Sequence, residues 1–284
     1  KLIMRSKFII ILLLLHYINN VWSQNILSEN IGNPTSTTSI LLNNFQNIGV
    51  LNYSNGAQTN SVDVRNTSAS SGYIGASGTG NVYFTATSGT YGFSIEGINA
   101  SYYSTLSLQF GYRKEAATSL ATFSVDYWNG TSWNALSNLF NESANATAGW
   151  YLSKVLSLPT DAQINGLKLR FVKTGTVSIR IDDIKLSGVE TLPSLTTTSV
   201  SAVTYNSATF GGNVISTGGT AISATGTVYS MTATNPNPSL GGIGVNALST
   251  LSPSPTIGTF SNDAGNILSP NVQYSYNAYA TKSN

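Results

Sequence analysis

Apolar and polar residues alternate with period two along most of the chain beyond its first two dozen positions. Leu106, Leu108, Phe110 and Tyr112 are separated by Ser107, Gln109 and Gly111, which predicts a strand with one buried face. Ala121, Phe123, Val125 and Tyr127 repeat the pattern, as do Leu167, Leu169 and Phe171, with Lys168 and Arg170 directed to the opposite side. Val82, Phe84 and Ala86, then Tyr91, Phe93 and Ile95, flank a Thr-Ser-Gly turn at 87 to 89 and predict two adjacent antiparallel strands. Trp128-Asn-Gly-Thr-Ser-Trp133 predicts a hairpin, because Asn-Gly accepts the positive φ of a tight turn. No helical stripe is sustained. Many short strands punctuated by Gly, Ser, Asn and Thr indicate an all-β sandwich rather than a parallel α/β sheet.

One strand breaks its own phase. In Ile179-Arg-Ile-Asp-Asp-Ile-Lys-Leu186, Ile179 and Ile181 share a parity that Ile184 and Leu186 do not. A β-bulge at Asp182-Asp183 restores a single buried face. Two adjacent carboxylates in a strand repel unless they point apart, are solvated or amide-bonded, or share a cation; a structural Ca²⁺ with its oxygen ligands is one resolution.

The pattern shifts after this strand. Gly188-Val-Glu-Thr-Leu-Pro193 reads as a linker, and a Thr/Ser-rich strand from Leu195 opens a second unit. The expected organisation is a leader over 1–23, a jelly-roll sandwich over 24–188, a linker over 189–193 and a smaller sandwich over 194–284.

The leader follows from Lys1, Arg5 and Lys7 preceding the apolar run Phe8 to Leu15, with Val21-Trp22-Ser23 before Gln24. A basic start, a short apolar run and a small residue are the parts of a secretory signal peptide, with cleavage expected after Ser23. The run is shorter than the roughly 20 apolar residues that span a bilayer, and no later run is longer. A secreted or cell-surface protein is expected.

Composition narrows the chemistry. Charged residues make up 8 % of the 284, against about 25 % in an ordinary domain. Of 13 Lys and Arg, the leader removes Lys1, Arg5 and Lys7, leaving 10 against 11 Asp and Glu, so the formal net charge of +2 becomes about −1. Nucleic-acid binding is not expected. The only His is His16, also in the leader, and there is no Cys. Ser-His-Asp and Cys-His nucleophiles, disulfides and conventional zinc sites are therefore unavailable in the mature chain.

Four segments, Ile26-Leu-Ser-Glu29-Asn-Ile, Leu106-Ser-Leu-Gln-Phe-Gly-Tyr-Arg113, Gly149-Trp-Tyr-Leu152 and Ile179 to Leu186, resemble the secreted jelly-roll domains common in Bacteroidota surface proteins. Those domains are similar to carbohydrate-binding modules in which an early Glu and a late Asp-Asp strand hold a structural calcium. The resemblance implies metal ligands at Glu29, Asp182 and Asp183; Glu29-Asn30-Ile31 lacks the aromatic and second acid often found there. The second unit resembles fibronectin type III-like repeats through Asn206 to Val214, Ala224 to Ser230 and Leu268-Ser-Pro-Asn-Val-Gln-Tyr274. Leu268, Pro270 and Tyr274 fit a tyrosine corner. The family's last strand is missing where the chain stops at Asn284, which implies an immunoglobulin-like sandwich short of one strand and a fragment of a longer protein.

Aromatic rings grip sugars by covering the apolar face of a pyranose. Trp128, Trp133, Trp150, Tyr102, Tyr103 and Tyr127 are candidates; Tyr127 and Trp150 read as core. Trp128, on the opposite parity beside the Asn-Gly turn, is expected to be exposed and to bind ligand with Tyr102 and Tyr103. Glu96, Glu115, Asp126, Glu142 and Asp161 are scattered acids without a catalytic pattern. Gly72-Tyr-Ile-Gly-Ala-Ser-Gly-Thr-Gly80 has no helix to aim at a phosphate and reads as a flexible loop. The expected function is non-enzymatic recognition of a polysaccharide or surface glycan. The alternatives are an accessory role in a longer secreted hydrolase with its catalytic domain beyond residue 284, or a pure surface spacer.

Overall fold

The computed structural model describes residues 23–56, 61–117, 119–141, 147–219, 221–250 and 256–282. The predicted leader up to Trp22 lies outside the described residues, as do Glu142 and the chain's last two residues. The chain is all-β and divides into two units, one ending at Glu190 and one running from Thr191. Among the described residues no helix is long and apolar enough to cross a membrane.

The first unit contains β1 (Ser23–Glu29), β2 (Thr38–Ser39), β3 (Asn52–Ser54), β4 (Val62–Arg65), β5 (Asn81–Phe84), β6 (Thr90–Asn99), β7 (Tyr103–Lys114), β8 (Phe123–Trp128), β9 (Trp133–Leu136), β10 (Gly149–Leu152), β11 (Leu156–Ser157), β12 (Asn165–Thr174) and β13 (Ile179–Glu190). Eight form one antiparallel sheet in the order β10-β7-β13-β5-β4-β2, with β1 also on β13 and β11 also on β7. The other five run β3-β6-β12-β8-β9. From β5 onward the chain shuttles between these two layers, as the jelly-roll expectation requires.

That shuttling overturns one expectation. β5 and β6 are consecutive but not paired: β5 lies between β4 and β13, and β6 lies between β3 and β12. The Thr-Ser-Gly segment crosses from one layer to the other instead of closing a hairpin. Period-two patterning shows which face of each strand is buried, but both sheets bury the same kind of face, so it cannot assign a strand to a layer.

The inward faces meet in one core. Phe84, Phe93, Phe110 and Phe171 are fully buried, and Phe171 sits edge-on to Phe110 with ring centres 5.2 Å apart. Burying a side chain of this size contributes about 1.5–3 kcal/mol, so the aromatic centre dominates cohesion. Phe45 enters from a loop and stacks on Tyr53 at 3.9 Å.

The bulge falls where the phase break predicts. Asp182 opposes Gly111 and Lys185 opposes Gln109, so β13 carries one extra residue. Asp183 absorbs it at φ 49°, and Ile179, Ile181, Ile184 and Leu186 are all fully buried. The glycine-rich segment 72–80 is not the free loop its composition suggests. Tyr73 and Ser77 bond to Asp183, Thr79 Oγ1 donates to Asn30 O, and Gly80 N–H donates to Gly32 O.

The second unit contains β14 (Ser194–Ser201), β15 (Thr209–Ser216), β16 (Ile222–Met231), β17 (Asn246–Thr250), β18 (Gly258–Asp263) and β19 (Tyr274–Lys282), arranged as two three-stranded sheets, β14-β15-β18 and β17-β16-β19. Its core is small: Phe210 stacks on Tyr276 at 4.6 Å, beside Tyr229. Ser269 N–H donates to the Tyr274 hydroxyl at 3.0 Å, the upstream backbone bond expected of the tyrosine corner. β19 pairs with β16 alone among the described strands, and β14 meets part of its other edge: Ala278 N–H donates to Thr197 Oγ1 and Tyr276 OH to Thr198 O.

Candidate functional site

Register, which no single strand reveals, assembles the site. Asn52 opposes Glu96, Glu96 opposes Lys168, Lys168 opposes Trp128 and Trp128 opposes Trp133. These five side chains form one row across the face of the five-stranded sheet turned away from the core. A second row, two residues along, holds Ser54, Ser94, Arg170, Asp126 and Ala135. With strands about 4.8 Å apart, each row is about 19 Å long, enough for several sugar rings.

The Asn-Gly turn places the two tryptophans side by side. Asn129 Oδ1 accepts N–H bonds from Thr131 and Ser132, Gly130 takes φ 96°, and the four-residue loop returns the chain with Trp133 opposite Trp128. Their ring centres are 5.7 Å apart at 60°, and both rings are half-buried. The turn is tied down from below. Asp161 accepts from Tyr127 OH at 3.0 Å and from Asn129 Nδ2 at 2.9 Å. Burial, and then donation to Asp161, hold the Tyr127 hydroxyl above its ordinary pKa.

Charge on the face is internally balanced. Lys168 Nζ lies 2.7 Å from Glu96 Oε2, while Ser94 Oγ donates to Glu96 Oε1. Arg170 donates through Nε and Nη2 to Asp126 Oδ2, at 3.1 and 2.6 Å, and its guanidinium covers the Trp133 ring at 4.2 Å. The face therefore offers aromatic surface at one end and fixed hydrogen-bonding groups along the rest. Two of the scattered acids, Glu96 and Asp126, belong to it. Parity already directs Lys168 and Arg170 outward; that Arg170 stacks on Trp133 and pairs with Asp126 depends on register and is not readable from one strand.

Tyr102 and Tyr103 are not in these rows. Tyr103 opens β7 in the eight-stranded sheet, opposite Glu190, and packs against the core; Tyr102 is half-buried in the turn before it. Trp150 also lies in that sheet, half-buried, its indole N–H bonded to Ser68 O.

Glu29 is buried, and both carboxylate oxygens are occupied by protein. Oε1 accepts from Ile31 N–H and Gln46 N–H; Oε2 accepts from Asn47 N–H, Asn47 Nδ2 and Tyr53 OH. This carboxylate shapes the 30–47 loop and has no lone pair turned to an ion. Among the described residues no three His, Cys, Asp or Glu side chains are placed to share a metal, so the three acids do not act as one ligand set.

Asp182 and Asp183 are different. Asp182 is fully buried under the 70–79 segment, and burial, then the neighbouring Asp183 charge, push its pKa up to about 8. Its Oδ2 accepts from Ser77 Oγ; Asp183 accepts from Tyr73 OH and Ser77 N–H. A buried carboxyl surrounded by hydroxyls is an oxygen-only donor set of the kind hard cations take. Asp182 Oδ1 also accepts from Asp183 N–H at 2.7 Å, so this pair, like Glu29, has protein donors of its own; calcium at the pair is a proposal, tested below by melting.

No family model and no curated protein matches the sequence. Among solved structures, the chain is similar to the K3 cleaved adhesin domain of Lys-gingipain from Porphyromonas gingivalis w83 (15 % identity, 57 % of this chain, 98 % of that one, TM-score 0.35). It is similar to a family 30 carbohydrate-binding module (14 %, 66 % and 95 %, TM-score 0.33). It is also similar to the CBM22-1 xylan-binding domain of Paenibacillus barcinonensis Xyn10C (16 %, 59 % and 96 %, TM-score 0.31).

Proposed function

We propose that this is an exported, non-catalytic protein whose first unit binds a polysaccharide or cell-surface glycan across the outer face of the five-stranded sheet. One observation carries the reading: the row Asn52, Glu96, Lys168, Trp128 and Trp133, with Arg170 stacked on the last ring. A tryptophan face covers the apolar C–H face of a pyranose, while fixed amide, ammonium and carboxylate groups bond its hydroxyls. The charged groups are held in place before ligand arrives, which lowers the ordering cost of binding.

The same pairing argues against hydrolysis at this face. Glycoside cleavage needs one carboxyl to carry a proton to the leaving oxygen. Glu96 is engaged by Lys168 and Ser94, and Asp126 by the Arg170 fork, so neither carboxyl is turned toward a glycosidic oxygen on this face. The reading is compatible with an accessory role in a longer secreted hydrolase.

The test is a glycan array with the full chain, followed by calorimetry on the hits, comparing wild type with Trp133→Ala. Binding that is lost in the variant supports the proposal. Silence across plant, algal and host glycans favours the surface spacer, and binding that survives Trp133→Ala removes the sheet face as the site.

A further inference from the structure

The first unit has a second cleft at the open side of its sandwich, where β9 ends one sheet and β11 lies at the margin of the other. Tyr127, Leu136, Asn138, Lys154, Val155 and Pro159 line it, with Ser137 and Ser157 at its rim, and its volume is about 370 Å³. That is the size of a small-ligand pocket, which runs from roughly 300 Å³ upward. Two backbone bonds shape it. Ser153 N–H donates to Phe110 O and Lys154 N–H to Leu139 O, so the segment after β10 is pinned across the gap.

Among the described residues, the cation in the cleft, Lys154, has no anion partner. Lys154 Nζ donates to the neutral amide oxygen Asn138 Oδ1 at 2.5 Å, and no carboxylate of the described residues lies within 4.0 Å of it. An ammonium carries three donors, and one is used. The nearby acid, Asp161, faces Tyr127 and Asn129 instead. The hydroxyls of Ser137 and Ser157 have no protein partner among the described residues, and Leu136, Val155 and Pro159 supply an apolar wall.

We propose that this cleft binds one acidic sugar unit, a uronic acid whose carboxylate pairs with Lys154 while its ring lies on the apolar wall and its hydroxyls meet Ser137, Asn138 and Ser157. The place and the charge come from the cleft alone. The choice of a sugar rests on the glycan reading above.

The experiment titrates the full chain with methyl β-D-glucuronide and methyl β-D-glucoside, probes that differ at the carboxylate, with acetate as competitor. Wild type should bind the glucuronide at least roughly tenfold more tightly than the glucoside, and more weakly at high salt. Lys154→Gln should abolish that preference and Lys154→Arg should keep it. Equal binding of the two probes, binding of neither, an unchanged preference in Lys154→Gln, or displacement by acetate as effective as by the glucuronide overturns the proposal. Loss of neutral-glycan binding in Trp133→Ala reports on the sheet face separately, so either reading can fail alone.

Discussion

The guanidinium of Arg170 lies 4.2 Å from the centre of the Trp133 ring, and the same group reaches Asp126 Oδ2 through two N–H donors. It is fixed on its flat side by an indole and at one edge by a carboxylate. Asp126 is almost wholly buried although it points away from the core, because Arg170 and the neighbouring hairpin cover it.

Replacing Arg170 with Lys keeps the charge and removes the plane and the fork. Glycan affinity at the sheet face should fall by roughly tenfold, the size of one charge-assisted bond or stack. Stability should fall by about 1 kcal/mol or less, since Arg170 is partly exposed. Calorimetric titration beside denaturant melts separates the two effects, and a variant that binds like wild type removes Arg170 from the site.

Glu29 gives a stability prediction. Its buried carboxylate accepts from five donors on four residues, Ile31, Gln46, Asn47 (twice) and Tyr53. Glu29→Gln turns an amide N–H₂ toward groups that are themselves donors. A loss of about 2–4 kcal/mol is expected, against about 1–2 kcal/mol for Tyr53→Phe. Chemical denaturation measures both, and a Glu29→Gln loss no larger than that of Tyr53→Phe contradicts the role described.

Much of this architecture is legible in the sequence, and the part that is not has a physical reason. Parity identifies the buried faces of β7, β8 and β12, and the phase break between Ile181 and Ile184 locates the bulge. Parity also sends Lys168, Arg170 and Trp128 outward. Which strands neighbour one another is decided by pairing over long sequence separations, so β5 and β6 read as a hairpin although they lie in different layers. The partnership of Arg170 with Asp126, 44 residues apart, is hidden for the same reason. Glu29 stands out as an early acid, but its donors come from a loop whose course no local pattern predicts.

Gly111 is a packing glycine. A Cβ there would lie 1.9 Å from Tyr73 Oη, so the ring that bonds Asp183 can lie on the sheet only where the side chain is absent. Gly111→Ala should cost about 1–3 kcal/mol, and Tyr73→Phe about 1–2 kcal/mol. The double variant Gly111→Ala/Tyr73→Ala should cost less than the sum of its single changes, because both disrupt one contact. Strict additivity in a double-mutant cycle rules this coupling out.

Glu115 sets an acid limit. Burial alone would raise its pKa, but hydrogen bonds and charge from Arg113 and Arg180 outweigh that and hold it below the usual 4.5. A depressed carboxyl stabilises the fold above its unfolded pKa, and that contribution disappears as pH falls through the lower folded value. Stability should therefore drop below about pH 4.5 more steeply in wild type than in Glu115→Gln. Urea melts across the acid range test this, and parallel curves for the two proteins exclude it.

Calcium is the last case, proposed for the Asp182–Asp183 pair rather than for Glu29. Asp182 is fully buried with no cation beside it among the described residues, and Glu29 is saturated by protein donors. An ion that binds the folded chain alone raises its melting temperature by mass action. Calcium should do so in wild type, and chelator should reverse it. The gain should vanish in Asp182→Asn and persist in Glu29→Gln, measured against that variant's own lower baseline. Because the Asp182 carboxyl must give up a proton to take an ion, the gain should be larger on the alkaline side of its raised pKa of about 8. A wild-type midpoint that calcium leaves unmoved on both sides of that pH eliminates the metal, and a response lost in Glu29→Gln alone returns it to the early acid.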